Sequence, residues 1–378
     1  MSVRLGFLTT GRQDWDILRS TCGLLATDPR FEVAIVAGGM HCSRQFGLMS
    51  AVIEHEGFTL AEKLAWIPDD GPVPSAVEQA AACLQLVGAA LDRQRFDALA
   101  LVGDRFETAA AALAATLARL PIVHLHGGEE TEGAIDNALR HAITKLSHLH
   151  LVSHATYAER IVRLAEDPRT VHVVGAPGLD NLHRTDLADV AELEEVLGVP
   201  LEPPVVIVTL HPTTLGTSTA ANEARELCAA MDAVDATYVI TLPNSDPGHD
   251  EIRRVLLEAS AKPRRVAVNA LGGRRYWGLM RAAQAMLGNS SSAMIEAPAL
   301  GLPVVNVGDR QKGRLRSDCV VDVAADRAQI TSALRAALER ERSCADAQAL
   351  GDGHSAARIR DALLSWTPPN PPRKRPVP

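Results

Sequence analysis

VHVVGAPGLDNLHRTDLADVAELEEVLGVPLEPPVVIVTL, residues 171–210, decides the fold, because a repeating pattern stops inside it and then starts again. Its first run, VHVVG (171–175), closes a series of short apolar, β-branched runs: VRLGFLT (3–9), EVAIVAG (32–38), DALALVG (97–103), PIVHLH (121–126) and LHLVS (149–153). An acidic helix-like segment and the proline-containing VPLEPP occupy 176–204. PVVIVTL (204–210) then opens a second series, continued by TYVIT (237–241), RVAVN (265–269), AMLG (285–288), PVVNV (303–307) and CVVDV (319–323). Helix-like stretches, such as 75–93 and the alanine-rich 107–119, separate the runs. Continuous apolar strands alternating with helices imply parallel sheets covered on both faces. Six strands per half predict an α/β protein of two Rossmann-like doubly wound domains facing a cleft, where the carboxyl ends of the strands display ligand-binding loops.

The boundaries that follow are an N-terminal domain over 1–182 and a C-terminal domain over 183–353. A terminal helix over 354–366 is expected to pack back on the N-terminal domain. The proline-rich, basic tail TPPNPPRKRPVP is expected to be disordered over 367–378. A chain of 378 residues with 47% hydrophobic and 22% charged residues has enough apolar material for a core in each half. Its net charge of −8 argues against broad nucleic-acid or membrane binding, while leaving room for local phosphate-binding patches. The six cysteines are scattered without a C-x-x-C pair, which reads as reduced thiols rather than a disulfide frame or zinc site. The first residues have neither the length of a membrane span nor the layout of a cleaved signal, so the expected location is cytoplasmic.

Polar clusters follow several strand runs. In TTGRQDW (9–15), Arg12 can set a guanidinium fork on a phosphate or carboxylate; an ordinary β–α loop explains the same residues. In GDRFE (103–107), Asp104 sits where a catalytic or ribose-binding acid would sit, and equally where a helix N-cap would. The densest cluster is HLHGGEETEGAIDNALRHAITKLSH (124–148). Two-residue alternation puts His124 and His126 on one strand face, and Gly127-Gly128 permits a sharp turn. Glu129, Glu130, Glu132 and Asp136 follow. A helix starting near 132 would stack Glu132, Asp136 and Arg140 on one face. A metal site from His124, His126 and Glu129 lacks a well-placed further ligand, so no metal or cofactor is expected.

In the second half, His211 lies at a strand end in TLHPTTLGTST (209–219), and Asn244 lies in the turn-rich LPNSDPG (242–248). Arg274, Arg275, Tyr276 and Trp277 open a helix and would either border a base pocket or be surface charges beside a core anchor. In GNSSSAMIE (288–296), Ser290, Ser291 and Ser292 lead into a helix, an arrangement suited to an anion at the helix N-terminus. Glu296 lies four residues past Ser292, outside a capping box, where it can accept ribose hydroxyls. GDRQKGR (308–314) then supplies Arg310, Lys312 and Arg314.

In this order, GRQDW, GGMHC with Gly47, GDRFE, HLHGGE…EGAID…RHAITKLSHLHLV, VGAPGLDN, LHPTT, GNSSSAMIEAP and GDRQKGR resemble the hydrolysing UDP-N-acetylglucosamine 2-epimerases, the branch feeding sialic-acid-type sugars. The resemblance implies a fold like that of GT-B glycosyltransferases and a homo-oligomer acting on a UDP-sugar. It also implies the chemistry: loss of the C2 proton and of UDP, addition of water at C1, and return of a proton to the other face of C2. The products would be N-acetylmannosamine and UDP. Carried over, Asp104, Asp136, Glu129, Glu132 and His126 are the catalytic candidates. Arg12, His41, Arg105, His211, Asn244, Ser290, Ser291, Ser292, Glu296 and Arg314 are the substrate- and UDP-binding ones. Some relatives have Glu where this chain has His126. EETEGAID and VGAPGLDN also resemble relatives acting on UDP-2,4-diacetamido-2,4,6-trideoxyglucose, a legionaminic acid precursor. Two other classes stand beside this reading: a retaining glycosyltransferase, which would need an acceptor site, and a silent nucleotide-sugar sensor, which would not keep the N-terminal acids.

Overall fold

The computed structural model describes residues 2–215 and 219–374, and of Arg12 the backbone alone. The chain divides into two compact units. The first holds the residues up to Glu129, Asp136–His183 and the chain from Leu350 onward; the second holds Glu130–Ile135 and Arg184–Ala349.

The first unit is built on β1 (Val3–Thr9), β2 (Phe31–Gly38), β3 (Leu60–Leu64), β4 (Ala98–Val102), β5 (Ile122–Leu125), β6 (Leu149–Val152) and β7 (Val171–Val173). Its helices are α1 (Arg12–Ala26), α2 (Met49–His55), α3 (Ala76–Gln94), α4 (Phe106–Leu117), α5 (Asp136–Leu146) and α6 (Ala155–Arg163), joined by a last helix considered below. The strands run parallel in the order β3-β2-β1-β4-β5-β6-β7. β4, ALALV, is buried throughout, as a strand covered on both faces must be. β3, LAEKL, was not anticipated. It is an edge strand, and its charged residues are tolerated there: Glu62 pairs with Arg93 at 2.8 Å on α3. Strand order reverses between β1 and β4, so the loops after these two strands flank the point where doubly wound sheets bind ligands.

The second unit contains α7 (Val190–Leu197), β8 (Val205–Thr209), α8 (Ala220–Met231), β9 (Thr237–Thr241), α9 (His249–Ser260), β10 (Arg265–Val268), α10 (Gly273–Ala282), β11 (Ala285–Gly288), α11 (Ser292–Ala299), β12 (Val304–Val307), β13 (Val320–Val323) and α12 (Arg327–Glu339). The order β10-β9-β8-β11-β12-β13, again all parallel, places its reversal between β8 and β11. These six strands coincide with the six runs of the second series.

The last helix, α13 (Ser355–Ser365), belongs to the first unit. Its Ile359 and Leu363 share a core cluster with Trp15, Leu18 and Leu25 of α1. The Asp180 carboxylate fixes its start, accepting from Ser355 N at 2.8 Å and Ala356 N at 2.7 Å. Beyond it, Lys374 Nζ lies 2.6 Å from the buried carboxylate of Glu166, which also takes Lys145 Nζ at 2.6 Å. Residues 375–378 of the tail lie outside the described residues.

Residues 130–135 join the second unit, although they are bracketed by β5 and α5 of the first. Glu132 N donates to Lys312 O at 2.9 Å, Leu215 N to Gly133 O at 3.1 Å, and Ile135 N to Thr214 Oγ1 at 3.0 Å. The fit depends on Gly133: a Cβ there would stand 2.6 Å from Asp309 O. Among the described residues, no helix is long and apolar enough to cross a membrane.

Candidate active site

The candidate residues fall into two clusters, one at each sheet's strand ends. In the first unit, the loop after β1 is held by Asp14, whose carboxylate accepts from Thr10 N at 2.9 Å, Thr10 Oγ1 at 2.8 Å and Gly11 N at 3.2 Å. Burial pushes Asp14 up despite these bonds. His41 lies behind this loop, wholly buried, with Nε2 2.7 Å from Thr9 Oγ1; burial brings its pKa down to about 3 and keeps it neutral. The side chain of Arg12 lies outside what the structure describes.

After β4, Gly103 turns with φ +72°, and α4 starts with Arg105 at its N-cap and no side-chain cap. Asp104 is therefore not spent on capping. Its carboxylate pairs instead with Arg140 of α5, which is almost wholly buried. Arg105 does not project a free fork: Glu107, fully buried, takes its Nη2 at 2.9 Å and its Nε at 3.1 Å. The GDRFE motif thus holds one internal ion pair and one strand-end carboxylate.

The region after β5 departs from the sequence reading in two respects. The strand ends at Leu125, and His126 takes a left-handed backbone with φ +61°, so it shares no strand face with His124. His124 is structural: its Nε2 lies 2.8 Å from Gly103 O, and burial brings its pKa down to about 3. With His124 so engaged, the three-ligand metal arrangement has no basis. Second, the helix starts at Asp136 rather than near 132, so Glu132 stacks on no face with Asp136 and Arg140. Glu132 sits instead in the second unit, exposed, with Lys312 Nζ 3.6 Å away.

His126 itself is buried and oriented. Its Nδ1 lies 2.6 Å from Glu129 Oε1, which Ser153 Oγ, from the end of β6, also approaches at 3.3 Å. Its Nε2 is buried with no hydrogen-bond partner among the described residues. A non-glycine residue in the left-handed region costs of order 1–2 kcal/mol, and such strain concentrates at functional sites. A carboxylate on one ring nitrogen with nothing on the other is the arrangement of an oriented proton carrier. Because β4 and β5 are neighbours in register, Val102 beside Leu125, Asp104 and His126 emerge from adjacent strand ends. Asp136, half-buried, opens the helix that carries Arg140.

In the second unit, Asn289 is the hub. Its side chain accepts from His211 N at 2.7 Å and donates to His211 O at 2.9 Å, tying the ends of β8 and β11 together. Its carbonyl accepts from Gln311 Nε2 at 2.8 Å and Arg310 Nη1 at 3.2 Å, bringing in the loop after β12. The close approach requires Gly288 (φ +128°), where a Cβ would stand 1.9 Å from Thr209 O. His211 Nδ1 accepts from Asn244 N at 3.4 Å, which joins the loop after β9. α11 starts at Ser292 with Ser291 at its N-cap and no side-chain capping bond, and Tyr276 Oη lies 2.8 Å from Ser292 Oγ. Glu296 and Arg314 are half-buried in the same unit. Residues 216–218 of the TLHPTTLGTST stretch lie outside the described residues. Arg274 and Arg275 turn away to Glu192 on α7, and Trp277 is a core anchor, so of that group only Tyr276 faces the serines. Ser153, Asn289 and Gln311 were not singled out from sequence, although each lies in or beside a quoted motif.

The chain as a whole has known relatives. The sequence profile of the UDP-N-acetylglucosamine 2-epimerase family matches residues 24–364. The chain belongs to that family. A Campylobacter jejuni relative, GDP/UDP-N,N'-diacetylbacillosamine 2-epimerase (hydrolyzing), is 32% identical over 322 residues, 84% of each chain. The Legionella pneumophila UDP-N,N'-diacetylbacillosamine 2-epimerase (hydrolyzing) is 31% identical over 372 residues, 96% of each. The fold matches that of Neisseria meningitidis UDP-GlcNAc 2-epimerase bound to UDP-GlcNAc, with a TM-score of 0.78 at 17% identity, covering 97% of this chain and 100% of that one. Family membership places epimerisation of a nucleotide sugar above the transferase and sensor readings.

Proposed function

We propose that this family member is a hydrolysing UDP-sugar 2-epimerase that converts a UDP-2-acetamido sugar and water to UDP and the free 2-epimer. In the first step a protein base takes the C2 proton and the C1–O bond breaks, releasing UDP and leaving a C1=C2 alkene. In the second, water adds its oxygen to C1 and a proton returns to C2 on the opposite face. Two faces require two proton-handling groups. The observation that carries the reading is the His126–Glu129 pair beside Asp104: an oriented imidazole with an unpartnered Nε2 and a carboxylate at the next strand end. Asp136 is the further acid. Glu129 acts through His126, and Glu132 anchors residues 130–135 rather than touching the sugar.

The UDP leaving group is assigned to the second unit: His211, Asn244, Ser290, Ser291, Ser292 and Arg314 for the diphosphate, with Glu296 for the ribose. Donors fixed in advance, as Asn289 fixes the His211 loop, stabilise charge as it develops on the departing oxygen. UDP-N-acetylglucosamine and UDP-2,4-diacetamido-2,4,6-trideoxyglucose are the two candidate substrates. The second, which is UDP-N,N'-diacetylbacillosamine, is favoured because two relatives, at 32% and 31% identity, are named for it.

The test is incubation with each UDP-sugar in heavy water, without added metal or acceptor, followed by NMR. A free 2-epimer carrying deuterium at C2, with an equal amount of UDP, is expected. A product still bearing UDP would overturn hydrolysis, and an unreactive mixture that turns over only with an acceptor sugar would overturn epimerisation.

A further inference from the structure

Before the start of β13, at the opposite end of the sheet from its own strand-end loops, the second unit holds donors for which the epimerase reading has no use. Asp318, Cys319 and Cys344 bring a carboxylate oxygen and two sulfurs within 4.8 Å of one another. Among the described residues this is the one group of three or more His, Cys, Asp or Glu side chains so arranged. Cys319 is buried just before β13, Cys344 is half-buried in the segment after α12, and Asp318 is exposed, so the group opens to solvent on its carboxylate side. A second carboxylate stands next to it: Asp346 Oδ1 is 3.2 Å from Cys344 Sγ and accepts from Asp318 N at 3.4 Å. Ala345 N in turn donates to Asp318 Oδ1 at 3.2 Å. The two segments are therefore laced together before any ligand enters.

We propose that Cys319, Cys344 and Asp318, with Asp346 as the fourth donor, form a structural site for a borderline-soft divalent cation of the Zn²⁺ class. Two sulfurs select against Mg²⁺ and Ca²⁺, which take oxygen ligands, and two sulfurs with two oxygens fit a closed four-coordinate site. Two carboxylates beside the two sulfurs give a dication four donors to bind, where a disulfide would use the sulfurs alone. Binding replaces two S–H bonds by two S–metal bonds and releases two protons, so affinity rises with pH. Arg340, 3.7 Å from Asp318 Oδ2, partners this carboxylate when no cation is bound and would share it afterwards. The site would tie the start of β13 to the segment 343–349, which precedes the return of the chain to the first unit at Leu350.

Co²⁺ added to the full, reduced chain is the test, read by its sulfur-to-metal charge-transfer absorption in the near ultraviolet. One equivalent of Co²⁺ is expected to develop the band, Zn²⁺ to displace it, and Zn²⁺ to raise the unfolding midpoint. Cys344→Ser and Cys319→Ser should lose the band, and Asp318→Asn, an exposed change that spares the core, should weaken binding by about tenfold or more. Cys228→Ser should leave it intact. Absence of the band in the reduced protein, or its survival in both cysteine variants, would overturn the site. So would two thiols that disappear reversibly on mild oxidation while the reduced protein ignores the metal, since that marks a disulfide instead.

Discussion

Replacing Glu129 with Gln tests the proposed proton carrier at its support. The substitution preserves the shape and leaves an oxygen to accept from His126 Nδ1, now 2.6 Å from Glu129 Oε1, but removes the negative charge. A hydrogen bond to a charged group contributes about 1.5–3 kcal/mol against about 0.5–1.5 for a neutral one, so roughly 1–1.5 kcal/mol of orientation is lost. That alone reduces the correctly placed imidazole by about tenfold. The carboxylate would also no longer offset the imidazolium formed when Nε2 takes a proton. General acid–base catalysis is worth about 10²–10⁴-fold, so a further factor of about ten is expected and kcat should fall about 10²-fold. The UDP loops belong to the other unit, so KM should stay within about threefold. The assay is UDP release under steady state, with solvent deuterium incorporation at C2 in parallel and an unfolding curve as control. A kcat within threefold of the parent would refute the dyad. So would a loss carried by KM, which would make Glu129 a binding residue.

Asn289→Ala removes both side-chain bonds to the His211 backbone, and should cost about 1–3 kcal/mol of stability and lower UDP affinity about tenfold; calorimetric titration with UDP showing parental affinity would disprove the hub. Gly133→Ala sets a Cβ 2.6 Å from Asp309 O, so residues 130–135 must shift or lift from the second unit. Turnover should drop by at least about tenfold, as expected when a small displacement moves positioning residues, with UDP affinity changed far less; parental kcat would show the docking to be dispensable. Mild acid should weaken the first unit through its buried histidines. His41 and His124 are held at about 3 in the folded chain, below their unfolded value, so unfolding takes up protons. Their contribution is fully present above pH ~6.5 and is lost as pH falls toward 3; between pH 7 and 5 each gives up about 2 kcal/mol. Urea unfolding at the two pH values should show the loss, and His124→Gln should reduce it by its own share of about 2 kcal/mol; equal midpoints at pH 7 and 5 would contradict neutral burial.

What sequence made legible and what it hid divide along the range of the interactions. The runs ALALV and VVIVT are strands because a parallel strand covered on both faces must be apolar throughout, a property visible locally. LAEKL escaped because an edge strand need not be. Asp104 was legible as a candidate, but not as the partner of Arg140, since its alternative as an N-cap is settled only by where α4 begins. Glu132 looked like a helix-face acid on spacing alone. Its true place depends on Gly133 meeting Asp309 and Gly313 meeting Glu130, contacts across nearly half the chain that no local pattern encodes. The nearness of Cys319 and Cys344 was hidden in the same way, since they meet only once β13 and the segment after α12 are in place.

His126 shows why the centre of the site is the hardest part to read. Period-two alternation is a rule about strands, and it puts His126 beside His124; the backbone breaks the rule one residue after β5 ends, at φ +61°. A histidine, which tolerates that conformation better than most non-glycine residues, is held there by Glu129, by burial and by the two glycines that follow, at a cost the rest of the fold must offset. Strand alternation therefore predicts the wrong geometry at this residue. The same departure separates the two histidines chemically: His124, in regular backbone, has its Nε2 committed to Gly103 O and serves the fold, whereas His126, in strained backbone, keeps Nε2 available. If strain buys that availability, a His126→Asn variant, which suits the left-handed region better, should be inactive yet no less stable than the parent despite losing the bond to Glu129. A clear loss of stability would mean that His126 is held there for packing rather than for chemistry.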